Sequence, residues 1–273
     1  MRKISEPILT FLGDNPELQN ADNQSVCERH GILVKNYPDL INKIAALAFN
    51  NPQFLLFFRG QKADFQNGYS TTILPAIFRQ SRDDLKKKYD SLKDAEDQLI
   101  NHYHFAGSKG IRVHGILRWA ILQHYQIVPT PLLDVTYSPR VACSFSGINE
   151  STVPTYLYVL GLPQISGSIS VSSEHGIQNI RLLSVCPPDS LRPHYQEGHL
   201  IGDYPTLGYF EKMEHDLHEV DFNRRLICKF RLQQGGDFQT ISEEFLFPDK
   251  DHDCVSKMAE EIKLKQNQNK LML

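Results

Sequence analysis

FLLFFRGQ (Phe54–Gln61) sets five consecutive apolar side chains directly against an arginine, a glycine and a glutamine. A short unbroken apolar run ending in polar residues is the pattern of a strand buried on both faces. A guanidinium is costly to bury without partners. Arg59 must therefore either reach the surface or stand at the mouth of a pocket, where its planar fork of donors suits an anion.

Upstream, PDLINKIAALAF (38–49) repeats apolar positions at three and four residues and predicts an amphipathic helix leading into the strand. Downstream, the charged segment from Arg79 to His104 carries Leu85, Leu92 and Leu99 seven apart, a helix with one apolar seam. Its Lys86–Lys88 run reads as a solvated face. IRVHGILRWAILQHY (111–125) predicts a second, more apolar helix, and VPTPLLD (128–134) a turn and short strand. Ser138 before Pro139 is a helix-start signal for PRVACSFSG. Strands are expected at TYLYVLGL (155–162), GSISVS (167–172), NIRLLSVC (179–186), EGHLI (197–201) and RRLICKFRL (224–232). From about Asp251 a polar helix runs into a KQNQNK tail (265–270) expected to fray.

The expected class is α+β. Residues 1–50 read as an N-terminal helical segment packed on one domain at 51–250, with a C-terminal helix and tail at 251–273. The chain has 273 residues, 41% hydrophobic and 22% charged, with a net charge of −3. No whole-molecule basic field announces nucleic acid. The five cysteines form no C-x-x-C pair, which argues against a zinc or disulfide framework and for reduced thiols. The N-terminus lacks the apolar run of a signal peptide, and no segment approaches the roughly 20 apolar residues that cross a bilayer. A soluble, cytoplasmic protein without membrane contact is expected.

Polar groups concentrate between Gln123 and Ser146. His124 ends an apolar helix, and Asp134, Thr136 and Ser138 follow on the strand and turn after it. A buried Asp needs a partner, and a helix start offers free N–H groups to a phosphate. Ser138 reads equally as a plain helix cap, His124 as a satisfied core histidine, and Arg59 as an ion-pair partner of Asp134. His215 and His218 lie three apart without an H-E-x-x-H pattern, so a solvated helix face is favoured over zinc. Arg224 and Arg225 could touch a nucleic-acid backbone, though surface decoration is the default.

FRGQ (58–61), ILPAIFR (73–79), QHYQIVPTPLLDVTYSP (123–139), RPHYQEG (192–198) and LFPD (246–249) occur in that order across about 70% of the chain. Together they resemble the FRG family, named for its Phe-Arg-Gly motif. Gln126 stands where that family usually has glycine, and Val135 where tryptophan is common.

A fainter likeness, in motif order, is to ADP-ribosyltransferases. It implies a curved, mostly antiparallel central sheet in a split arrangement with flanking helices. It also implies NAD as co-substrate and a catalytic set of Arg59, Ser138, Gln196 and Glu197, with Glu243 as a substitute for the last. Arg59, Gln61, His124, Asp134, Thr136 and Ser138 would bind the NAD. Arg59 would grip a phosphate or ribose edge, and Ser138 would hold the nicotinamide ribose. Gln196 or Glu197 would steady the sugar cation, as electrostatics does in other sugar transfers. Adjacent in an expected strand, those two would face opposite sides, so one alone would point inward.

The resemblance thus implies an ADP-ribosyltransferase modifying a macromolecular acceptor, RNA and DNA included. It would act as a toxin or phage-defence effector, with an antitoxin protein as a further partner. The alternative is a non-catalytic module binding a nucleotide or anion. A metal-dependent nuclease ranks last, because the carboxylates are dispersed.

Overall fold

The computed structural model describes residues 1–79, 84–205 and 217–271. The first fifty residues hold β1 (Ile8–Thr10), β2 (Gln19–Ala21), α1 (Asn23–Glu28), β3 (Ile32–Val34) and α2 (Tyr37–Asn50). There follow β4 (Leu55–Gln61), β5 (Gln66–Asn67), β6 (Ser70–Thr71), α3 (Leu85–His102), α4 (Ser108–Val113) and α5 (Gly115–His124). Next come β7 (Leu133–Thr136), α6 (Pro139–Phe145), β8 (Thr155–Leu162), β9 (Ile169–Ser172) and β10 (Ile177–Arg181). The last elements are α7 (Leu191–Gln196), β11 (Gly198–Asp203), β12 (Leu226–Leu232), α8 (Glu243–Leu246) and α9 (Cys254–Leu271).

Eight strands form the main sheet in the order β3-β12-β8-β4-β7-β11-β10-β9. Only β3 and β12 pair in parallel; the other neighbours are antiparallel. The α+β class and the mainly antiparallel sheet with flanking helices are thus as the sequence leads one to expect. Although residues 1–50 were read as a helical segment, they also place β3 at the edge of this sheet.

The apolar run at Phe54 is explained by the central place of β4. It pairs with β8 at seven positions, from Leu55↔Leu162 to Gln61↔Tyr156, and with β7 at Phe58↔Thr136. Successive side chains leave opposite faces of a strand, and both faces here are covered. Phe57 belongs to the same buried cluster as Leu133, Val135 and Leu160, and Phe58 to that of Ala142, Cys143 and Val159.

Gly60 has a separate cause. A Cβ there would collide with the carbonyl of Ala142 and lie 2.6 Å from the amide nitrogen of Ser146. Helix α6 therefore rests its backbone on β4 at that residue. Ser138 caps α6, accepting from Val141 N at 3.4 Å, and Pro139 occupies its first turn.

Four local expectations are corrected. Residues 111–125 do not form one helix, because the chain turns extended at His114 between α4 and α5. Gly115 weakens the helix there, and Arg118 Nη1 takes the freed α4 carbonyl of Ile111 at 2.9 Å. The strand expected over 179–186 ends at Arg181 and gives way to a 3₁₀ turn closed by bonds to the Leu182 carbonyl. Arg224 and Arg225 belong to a 3₁₀ turn capped by Asp221 rather than to β12. Helix α9 continues through Lys265–Lys270 where fraying was expected. No described helix is long and apolar enough to cross a membrane.

Candidate functional site

A cavity of about 300 Å³ opens where β4, β7 and β11 lie side by side beneath α5, α6 and α7. Strand β4 supplies Arg59, and β7 supplies Asp134 and Thr136. Gln123 and His124 come from the end of α5, Arg192 and Gln196 from α7, and His199 from β11. Arg79, Gln126, Phe145 and Phe247 complete the rim.

Arg59 lies just beyond the single β4–β7 pair, where the ladder leaves the Asp134 carbonyl open. Its Nη1 donates to that carbonyl at 2.7 Å, while its buried Nε meets no partner among the described residues. Burial, reinforced by nearby Arg79 and opposed by Asp134, pulls the guanidinium down to about 10, still cationic at neutral pH. Arg79 is held by Nε donation to the Leu74 carbonyl at 2.9 Å. Lys88, expected on a solvated face, instead donates to the Arg79 carbonyl at 2.6 Å and steadies that turn.

Arg192 is 8% exposed, with its guanidinium carbon 4.6 Å from the Phe247 ring centre and 5.4 Å from that of Tyr125. Its amide donates to Asp253 Oδ2 at 2.8 Å, and its Nε has no partner among the described residues. Among the described residues, no carboxylate comes within ion-pair distance of Arg59, Arg79 or Arg192.

Asp134 faces this cationic group. Gln123 Nε2 donates to its Oδ2 at 2.9 Å, while Gln123 Oε1 is fixed by Thr130 N and Oγ1 at 3.0 and 3.1 Å. His124 Nδ1 lies 3.7 Å from Asp134 Oδ1. Burial pushes the Asp134 carboxyl up, yet His124, Gln123 and Arg59 outweigh it and hold it below the usual carboxylate range. Burial depresses His124 more than Asp134 raises it, so the ring lies below the ordinary imidazole range. His124 Nε2 is a further buried atom without a partner among the described residues.

His199 is pushed down to about 4 by burial and by Arg181. Its Nδ1 sits 3.0 Å from Asn179 Oδ1, so Nδ1 carries the proton and Nε2 the lone pair. Gln196 anchors the opposite wall by donating to the Leu246 carbonyl at 2.7 Å. Thr136 Oγ1 is occupied, accepting from Ser138 N at 3.0 Å.

Of the residues singled out in sequence, Arg59, His124, Asp134, Thr136 and Gln196 line the cavity; Gln61, Ser138, Glu197 and Glu243 do not. Gln61 is buried in β4, and Ser138 is spent on its cap. Glu197 and Glu243 are exposed. The premise that Gln196 and Glu197 share a strand is corrected. Gln196 closes α7, and Glu197, with φ +44°, turns the chain from helix to strand. Pro193 falls in the first turn of α7, where a missing N–H costs no helical bond.

Sequence reasoning missed Arg79, Gln123, Arg192, His199 and Phe247 as site residues. Four of them sit inside the quoted motifs, and His199 lies one residue past RPHYQEG. Gln126 has φ +54° and follows α5, with Ile127 N bonded to the Leu122 carbonyl at 2.8 Å. That left-handed closure suits glycine, which accounts for the residue expected there. His215 lies outside the described residues, and His218 is exposed. Among the described residues, no group of three or more His, Cys, Asp or Glu could hold a metal ion.

The family model of the FRG domain matches residues 55–153, somewhat over a third of the chain. The match supports the FRG resemblance and takes in Arg59, Arg79 and Asp134, but not Arg192 or His199. No curated protein matches this chain. No solved structure matches it either.

Proposed function

We propose that the cavity binds a phosphate-bearing nucleotide, NAD first among the candidates. The observation that carries this reading is the convergence of Arg59, Arg79 and Arg192, which have no ion-pair partner among the described residues, two of them with a buried Nε that no described residue meets. Buried donors without partners are costly, and a phosphate oxygen would satisfy them. Arginine suits that task because its fork binds phosphate bidentately. A volume near 300 Å³ is at the lower end for ligand pockets, so part of an NAD molecule would project beyond it.

The test is calorimetric titration with NAD, ADP-ribose, ADP and inorganic pyrophosphate. At least one should bind, and Arg59→Ala and Arg192→Ala should each weaken it about 10-fold or more, as loss of a charged hydrogen bond does. Absence of binding to all four anions, or undiminished binding in both variants, would overturn the reading.

ADP-ribosyl transfer is the second reading, favoured by one observation: the ionised Asp134 carboxylate stands in the same cavity as the arginines. In that reaction the bond from ribose C1′ to the nicotinamide nitrogen breaks, and its electron pair leaves with neutral nicotinamide. The acceptor nucleophile forms the new bond to C1′ and gives up a proton. A carboxylate beside C1′ would stabilise the cationic sugar, a role assigned from sequence to Gln196 or Glu197. The finer expectation of an ADP-ribosyltransferase-like sheet belongs to this reading, as do a macromolecular acceptor and a toxin or defence role. Release of nicotinamide from labelled NAD, lost in Asp134→Ala, is the result it requires.

A further inference from the structure

Resting on the phosphate-binding reading, we infer that Asp134 recognises the sugar hydroxyls of the ligand and selects ribose over deoxyribose. A pocket built for phosphate alone gains nothing from a carboxylate, which repels the anion. Here the carboxylate is kept apart from the arginines. Arg59 takes the Asp134 backbone carbonyl instead of the side chain, and among the described residues no arginine pairs with Oδ1 or Oδ2.

The carboxylate still has acceptor capacity to spare. An ionised carboxylate offers about four lone-pair sites. Gln123 uses one on Oδ2, and His124 Nδ1, at 3.7 Å from Oδ1, is too distant for a good hydrogen bond. The Asp134 side chain is 39% exposed, and the residue lines the cavity, so the remaining sites are open to a ligand. A group that meets them must donate. Neighbouring cations and a facing anion together define a ligand that is anionic at one end and carries hydroxyls at the other. A ribose phosphate has that make-up, and inorganic phosphate does not.

Gln123 is what makes the carboxylate selective. Held by Thr130 through both its backbone and hydroxyl, it fixes the plane of Asp134. A fixed acceptor discriminates against a missing hydroxyl because it is then left desolvated and unmet.

The experiment compares ADP with 2′-deoxy-ADP and 3′-deoxy-ADP, and ribose 5-phosphate with 2-deoxyribose 5-phosphate. Inorganic pyrophosphate is the reference without a sugar. The wild-type protein should bind the fully hydroxylated member of each pair about 10-fold or more tighter. Asp134→Asn should shrink that preference to within about 3-fold while pyrophosphate binds as well as before or better, one repelling charge having gone. Asp134→Glu, which keeps the charge but displaces it, should also lose the preference and retain pyrophosphate. Equal affinity within each pair in the wild type, or a preference that survives in both variants, overturns the inference. Pyrophosphate binding without any sugar-phosphate binding overturns it alone. If nothing binds, the phosphate reading falls with it.

Discussion

Arg59 Nη1 donates to the backbone carbonyl of Asp134 at 2.7 Å and leaves the Asp134 carboxylate to Gln123, which donates to its Oδ2 at 2.9 Å. One end of the guanidinium is thereby fixed to β7, and its remaining donors stay available. A planar fork can do both at once; a single ammonium cannot. Arg59→Lys should therefore lose nearly as much nucleotide affinity as Arg59→Ala in a binding titration. Near-normal affinity in the lysine variant would mean that charge alone is used.

Gly60 predicts a stability effect independent of any ligand. A methyl group there meets backbone of α6 on a central strand, and backbone cannot swing aside as a side chain does. Gly60→Ala should cost at least about 2 kcal/mol in urea unfolding, in the range of overpacked cores. A loss under about 0.5 kcal/mol would show that α6 lifts off easily.

Ser138 separates capping from chemistry. Its hydroxyl caps α6 and lies outside the cavity lining. Ser138→Ala should lower stability by about 1 kcal/mol and leave nucleotide affinity unchanged. A large fall in affinity with intact stability would restore the binding role that its place in the sequence suggested.

Acid should destabilise the fold through its buried histidines. His199, 4% exposed, falls from an ordinary 6.5 to about 4, and His124 is lowered too. Between pH 6.5 and 4 the unfolded chain takes up protons that the native rings refuse, so stability falls as pH falls. For His199 alone the full loss is about 3 kcal/mol. His199→Phe removes that titration, so its unfolding free energy should decline less between pH 7 and 5 than that of the wild type. Parallel declines would assign the acid sensitivity elsewhere.

Gln126 holds a left-handed conformation that glycine adopts without steric cost. Gln126→Gly should leave stability unchanged or raise it by up to about 1 kcal/mol, measured by thermal unfolding. A clear loss would mean that the Gln126 side chain contributes contacts worth more than the strain.

What could be read in advance followed from local chemistry. Phe54–Phe58 announced a strand covered on both sides, Pro38–Phe49 an amphipathic helix, and Ser138-Pro139 a helix start. Arg59 was legible because its charge contradicts the apolar residues before it. The helix break at His114 was not, since it depends on Arg118 reaching back to the Ile111 carbonyl. Gln196 and Glu197 were misplaced because a six-residue helix carrying a proline leaves too short a pattern to distinguish from a strand start. The meeting of Arg59, Arg79 and Arg192 is a product of topology. Strand order brings β11, and with it α7, next to β7, and no spacing along the chain encodes that neighbourhood.

The partnership of β4 with β8 has a practical consequence. The FRG match ends at Val153, two residues before β8 begins at Thr155. A fragment cut at that boundary would expose β4 along seven pairing positions and strip β11 from β7. Two apolar ribbons with unmet amides would then face solvent, and such edges recruit copies of themselves. Excised in this way, the stretch of strongest family likeness would precipitate rather than fold; the unit of resemblance is smaller than the unit of folding.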